Sequence, residues 1–195
     1  MSLPSAPSSP DPLDGFATAA LGLTGQLVRE LTTCGAEEIH ETRGGVAFTG
    51  TLEVGYRVCL WSRVASRILC RLSTFPAPDG EALYAGARKV PWSDHVAPTS
   101  TVAVHATARH SPIRHTGFAA LKVKDALVDE IRDATGTRPD VRLRQPDVAV
   151  YVHLEGGWAT VFIDLSGDGL HRRGYRSPGG EAPLKENLAA AMLYL

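Results

Sequence analysis

An α+β fold in two consecutive domains is what this sequence predicts, and three observations carry the prediction. Short strand-like runs alternate with amphipathic helical runs along the whole chain. A proline- and glycine-rich break, Pro76-Ala77-Pro78-Asp79-Gly80, divides the pattern in two. Two hairpin signals, Gly44-Gly45 and Gly156-Gly157, stand between β-branched segments, one on each side of that break.

The Ser/Pro-rich start, residues 1–14, has neither a basic n-region nor an apolar stretch and reads as a disordered tail, not a leader peptide. Phe16 to Ala20 is a short strand. Thr24 is the expected N-cap of a helix carrying Leu27, Val28 and Leu31, with Gly35 past its end. Ala36–Thr42 and Val46–Phe48 form a hairpin about Gly44-Gly45. A helix follows from about Thr51, with Leu52, Tyr56, Val58, Cys59 and Leu60 expected on its buried side. Ala65–Phe75 is a strand in which Ile68, Cys70 and Leu72 alternate with Arg67, Leu69 and Arg71. The order β-α-β-β-α-β over residues 15–75 is the split pattern of a ferredoxin-like unit.

Beyond the break, Glu81–Lys89 is a short helix stopped by Pro91, and Thr101–Ala106 is a β-branched strand. A long helix spans about Arg114 to Ala134, its apolar stripe written by Ala120, Val123, Leu127, Ile131 and Ala134, with Gly136 and Pro139 ending it. Val148–Leu154 and Ala159–Leu165 flank Gly156-Gly157. A last helix opens at Pro183, with Leu184, Leu188, Met192 and Leu195 on one face. A short amphipathic helix is marginal alone. It either packs on this chain's own sheets or begins a further domain, in which case Leu188 and Met192 are left exposed.

No uncharged apolar run approaches the ~18 residues of a membrane span, so no membrane partner is expected. Cys34, Cys59 and Cys70 lack CxxC pairing and read as reduced thiols of a cytoplasmic protein. Formal net charge is only −1, but residues 1–62 hold seven acids against three arginines, which leaves the positive excess to residues 63–195. That asymmetry points to a polyanion. Two basic groups stand out. Arg109, His110, Arg114 and His115 occupy the loop before the long helix, which itself carries Lys122 and Lys124. His171-Arg172-Arg173 with Arg176 surrounds Tyr175, an aromatic able to stack a base while guanidinium groups hold phosphates. Lys122 and Lys124 stand about 200° apart on a helical wheel, so one ligand does not face both. Arg138, Arg142 and Arg144 form a weaker third group, partly cancelled by Asp140 and Asp147.

Catalytic signatures are weak. Five-residue spacing of His105, His110 and His115 suits no metal site. Asp164-Leu165-Ser166-Gly167-Asp168-Gly169 looks like a nucleotide loop, yet His171-Arg172-Arg173-Gly174 follows where a helix would have to begin. Asp125, Asp129 and Asp133 read as a solvated helix face, and Trp61 and Trp92 as core.

From Phe16 onward, the blocks Leu60-Trp61-Ser62-Arg63-Val64-Ala65-Ser66-Arg67-Ile68, Ala120-Leu121-Lys122-Val123-Lys124-Asp125-Ala126 and Asp164–His171 recur in one family, in this order. The last block continues into Arg172-Arg173-Gly174-Tyr175-Arg176 and then Ala182-Pro183-Leu184-Lys185-Glu186. On these blocks the chain resembles the N-terminal region of bacterial large-subunit ribosomal RNA guanine-N2-methyltransferases. The resemblance implies a ferredoxin-like domain over 15–75, a THUMP RNA-binding domain over 76–170 and a basic linker over 171–182. Residues 183–195 would be the first helix of a Rossmann-like methyltransferase domain that is absent. It further implies structured, ribosomal RNA as partner and S-adenosylmethionine as the whole enzyme's cofactor, with no cofactor and no catalysis in this portion. Three rivals stand beside it: the front of an adenine-specific DNA methyltransferase, a stand-alone non-catalytic RNA-binding module, and a small-molecule binder.

Overall fold

A computed structural model describes residues 12–174 and 184–194, which divide into two compact units: residues 1–68 with 169–195, and residues 69–168. Tyr175, Arg176, Pro183, Leu195 and the first 11 residues lie outside the described residues.

In the first unit, β1 (Leu13–Thr18) is followed by α1 (Thr24–Thr33), β2 (Glu37–Thr42), β3 (Gly45–Gly50) and α2 (Leu52–Trp61), and β4 (Arg67–Pro76) begins there. β3 pairs antiparallel with β1 and with β2. The β2–β3 turn falls on Arg43-Gly44, one residue earlier than expected, because Gly45 is already paired with Thr18 and Thr42. α1 buries Leu27 and Leu31. Leu23 takes its N-cap position and no side chain caps it, so Thr24 is the first helical residue, not the cap expected. Its C-terminus closes as predicted: Gly35 has φ of +87°, and the Ala36 N–H reaches back to the Leu31 carbonyl at 3.0 Å.

α2 corrects the sequence reading. Thr51 caps it through the Val54 N–H at 3.3 Å, but Val54, Gly55 and Val58 face the interior. Leu52, Tyr56 and Leu60, one turn apart on another stripe, are exposed. Both stripes are apolar and both keep helical spacing, so periodicity alone does not choose between them. Trp61, expected in the core, is 67% exposed.

α5 (Glu186–Met192) also belongs to this unit. It turns inward Asn187 and Ala191, not the stripe Leu184–Leu188–Met192. The Asn187 amide donates to the Ser66 hydroxyl at 3.0 Å and the Val64 carbonyl at 3.4 Å, satisfying a buried polar group. Leu184 and Met192 remain exposed.

The second unit continues β4 into α3 (Gly80–Ala87), a 3-10 turn at Trp92–Asp94, β5 (Thr101–Arg109), α4 (Thr116–Thr135), β6 (Asp140–Val141), β7 (Val148–Glu155) and β8 (Trp158–Asp164). β5 and β7 are parallel with α4 as the crossover, and β7–β8 is an antiparallel hairpin. Gly156 and Gly157 have φ of +57° and +84°, the doubly left-handed turn that their pairing predicts. The sheet runs β4-β8-β7-β5-β6, with Leu69–Pro76 of β4 paired to β8. The core gathers Trp92, Leu83, Leu127, Ile131, Leu154 and the valines of β5, β7 and β8. Trp92 is fully buried and its indole N–H donates to the Ala87 carbonyl at 2.8 Å.

α4 buries Val123, Leu127 and Ile131 as read, joined by Ala119, Ala126 and Val128. Of its aspartates, Asp125 and Asp133 are exposed as read and Asp129 is half-buried, yet the face is not free of partners. Asp129 accepts from the Tyr84 hydroxyl at 2.7 Å, Asp133 pairs with Arg88 at 2.7 Å, and Glu130 receives the Ser93 N–H at 3.0 Å. α3 and the turn after it thus meet α4 along a polar seam.

β6, read as loop in the sequence, lies parallel to the start of β5. Beside it the Asp147 carboxylate accepts the Thr101 N–H at 2.8 Å and the Thr101 hydroxyl at 2.7 Å. Those bonds, the backbone one first, hold its pKa below the usual carboxylate value. A carboxyl whose pKa falls on folding binds fewer protons folded than unfolded, so it stabilises above the unfolded pKa of about 4 and its contribution fades as pH drops through the lower folded value. Urea midpoints measured from pH 6 to pH 3 should therefore fall less steeply in Asp147→Asn than in the unaltered chain. Parallel curves would remove Asp147 as a contributor.

Candidate nucleic-acid interface

The loop between β5 and α4 is set by buried anchors. Ser111 and Ile113 are buried, and the Ser111 hydroxyl oxygen accepts the Ile113 N–H at 3.2 Å. His110 sits at φ of +47°, a left-handed turn residue between them and the strand. Anchoring alternate residues leaves His110, Pro112, Arg114 and His115 facing outward. His110, Ser111, Pro112, Arg114 and Ala108 line an open hollow of about 680 Å³.

The candidate cations are not equivalent. Arg109 pairs with Glu155, its cross-strand partner, at 3.2 Å, and the other carboxylate oxygen stands 3.6 Å from His153. Lys122 pairs with Glu81 at 2.6 Å and lies within about 6 Å of the Tyr84 and Phe118 rings. Lys124 pairs with Asp125 at 2.5 Å. Exposed pairs of this kind are worth about 0–1 kcal/mol, so a phosphate can compete for the cation, but at the cost of breaking the pair.

His115 caps the long helix. Its Nδ1 accepts the Phe118 N–H at 2.9 Å from the N-cap position of α4. Arg114 and His110 have no ion pair among the described residues. They line the hollow, and Arg114 directly precedes the N-cap of a 20-residue helix, whose first free N–H groups favour an anion. The structure thus brings Arg114 and His110 to one hollow, commits His115 to the helix cap, and ties Arg109, Lys122 and Lys124 to acids.

The second sequence group falls in the first unit. The Arg173 guanidinium donates to the Ser62 carbonyl at 2.8 Å, and the Arg172 N–H closes a turn on Gly169. Tyr175 and Arg176 lie outside the described residues. The third group gains standing: Asp147 is committed to Thr101, and Arg138, Arg142 and Arg144 are exposed with no ion pair among the described residues. Asp147 still acts electrostatically on Arg142.

The Asp164–Gly169 run is not followed directly by a helix. Residues 165–174 contain no helix, and the Asp164 carboxylate folds back on the Ser166 N–H at 2.8 Å. Among the described residues no three His, Cys, Asp or Glu side chains converge on a metal-sized site. No described helix is long and apolar enough to cross a membrane.

Comparison with known proteins fits this division. The RlmL ferredoxin-like domain model matches residues 14–69, and the THUMP domain model matches residues 77–164. The ribosomal RNA large subunit methyltransferase K/L of Methylococcus capsulatus is 56% identical over 92% of this chain, which covers 24% of that protein. Its counterpart in Syntrophotalea carbinolica is 50% identical over 93% of this chain and 26% of its own length. The chain thus spans about a quarter of the length of these relatives. A solved structure from Listeria monocytogenes, described as a predicted N6-adenine-specific DNA methylase, superposes with a TM-score of 0.85 at 29% identity, over 95% of this chain and 48% of that one. Two family models thus match in series, the RlmL ferredoxin-like domain over residues 14–69 and the THUMP domain over residues 77–164, and the similarity to relatives of half or more identity runs across both segments.

Proposed function

We propose that this chain is the RNA-holding region of a ribosomal RNA methyltransferase, and that the loop opening α4 grips a backbone phosphate of structured RNA. The observation that carries the reading is Arg114 and His110, without an ion pair among the described residues, at the hollow beside the α4 N-terminus of a THUMP domain whose relatives are named rRNA methyltransferases. In the whole protein, S-adenosylmethionine would supply the methyl group and a guanine exocyclic amine in cytoplasmic rRNA would take it. Reaching a base amine usually means extruding the base, at a few kcal/mol, and phosphate contacts from a separate domain offset that cost while setting register. Arg138, Arg142 and Arg144 would add a second set of phosphate contacts. Binding of this kind depends steeply on salt and reads little sequence.

Gel-shift titration of an RNA hairpin at two salt concentrations tests it. Arg114→Ala should weaken binding and lower the salt slope by about one, the signature of one lost phosphate contact. Arg109→Ala should do less, since Glu155 already holds that cation. Equal affinity and slope for Arg114→Ala and the unaltered chain would remove the site.

A second reading, the front of an adenine-specific DNA methyltransferase, is favoured by the name of the Listeria relative. A DNA hairpin of the same sequence, bound as tightly as the RNA, would support it.

A further inference from the structure

The first unit holds a hollow of about 240 Å³ that the proposed phosphate grip does not use. Trp61, Tyr194, Arg29 and Arg63 line it around Glu30. Trp61 ends α2 at 67% exposure, and Tyr194 is 44% exposed. Scattered exposed aromatics are ordinary on a protein surface; two that open into one hollow beside two arginines are not scattered.

The site is braced from below. The Glu30 carboxylate accepts the Ser62 hydroxyl at 2.5 Å, the Arg63 N–H at 3.1 Å, the Val64 N–H at 3.2 Å and the Tyr194 hydroxyl at 3.1 Å. Those bonds fix the chain on the C-terminal side of Trp61 and the ring of Tyr194, and they satisfy the acid. Two guanidinium groups outweigh that single carboxylate, and Arg29 has no ion pair among the described residues, so the hollow favours an anion-bearing ligand. Cys34 forms part of the wall, but burial first and Glu30 second push its thiol above the ordinary value, which keeps it neutral and unreactive. The volume is below the roughly 300–1,000 Å³ of pockets for drug-sized molecules, so it suits one small ring system.

We propose that this hollow is a stacking site for one unpaired nucleobase of the bound RNA, with Trp61 and Tyr194 giving it ring faces and Arg29 and Arg63 holding the adjoining phosphate. The proposal rests on the RNA-binding reading above and adds to it an element that recognises single-stranded RNA. Every base has a π face, so the site accepts any of them. It explains why a large apolar ring stands exposed at the end of a helix whose inner stripe is complete without it.

The test uses the 195-residue chain with a short oligoadenylate and with a blunt RNA duplex, read by anisotropy and by tryptophan emission. Trp61→Leu changes an exposed residue, and circular dichroism verifies that its fold is kept. The variant should bind oligoadenylate about tenfold more weakly, within the range for one base–aromatic stack, and leave the duplex within about twofold. It should also lose the share of the emission quenching that comes from Trp61, a share isolated in a Trp158→Phe background because Trp158 is exposed while Trp92 is buried. Arg114→Ala should weaken both ligands. If Arg114→Ala weakens both while Trp61→Leu leaves oligoadenylate binding and quenching intact, the stacking site is wrong and the RNA reading stands. If the unaltered chain binds neither ligand, both proposals fall.

Discussion

Trp92→Ala is expected to cost the second unit about 3–5 kcal/mol, the range for truncating a large aromatic in a packed core. Against a total stability of about 5–15 kcal/mol for a domain, that is enough to leave a sizeable unfolded fraction at 37 °C. The residue is fully buried among Leu83, Ala87, Val96, Val123, Leu127 and their neighbours. Deleting the indole opens a cavity that helix and sheet fill only in part, and it takes away the donor to the Ala87 carbonyl. Trp92→Phe should lose less, because most of the volume stays and only that hydrogen bond goes. Urea denaturation followed by far-ultraviolet circular dichroism measures both. A loss under about 1 kcal/mol for the alanine variant would mean that the core closes around the gap.

Gly45→Ala is expected to be nearly as damaging, for a different reason, and in the first unit. A Cβ built on Gly45 would stand 2.0 Å from the Ala17 carbonyl oxygen and 2.9 Å from its carbon. Those are backbone atoms of β1, paired across the ladder at Thr18↔Gly45 and Ala17↔Val46, so no rotamer change relieves the clash. β1 and β3 must separate or slip, at about 3 kcal/mol, the upper end for overpacking. Gly44→Ala, one residue away, meets nothing within 4 Å and should lie within about 0.5 kcal/mol of the unaltered chain. Thermal melts of the two variants make the comparison. Equal melting temperatures would show that the strand pair tolerates the added methyl group.

These two residues also mark how far the sequence can be read. Element types and their order were legible, because helix, strand and turn leave local patterns: Val123, Leu127 and Ile131 at helical steps, Gly35 and Gly136 past helix ends, Gly156-Gly157 between β-branched runs. That Trp92 is core was legible from its chemistry. That Gly45 is irreplaceable was not, since the reason is a carbonyl 28 positions away in the chain. β6 was missed because two residues leave no period to detect.

The basic groups were visible as clusters of residue types, but which members stay free was not. Arg109 and Arg114 look alike in the chain. Glu155 enters beside the first through strand pairing, and no acid pairs with the second among the described residues. His115 looked like a cation and is a cap acceptor. Trp61 looked like core and is a surface ring, because α2 carries two apolar stripes and the packing of Val54 and Val58 selected one.

The sequence alone therefore determined the order of the longer elements and the family likeness, which depend on patterns among near neighbours along the chain or on the order of its motifs. Tertiary structure decided which helix face turns inward, which charges find partners and which glycine has no room for a methyl group. Each of those depends on atoms that are distant in the chain and adjacent only after folding, and no local pattern encodes their separation in space.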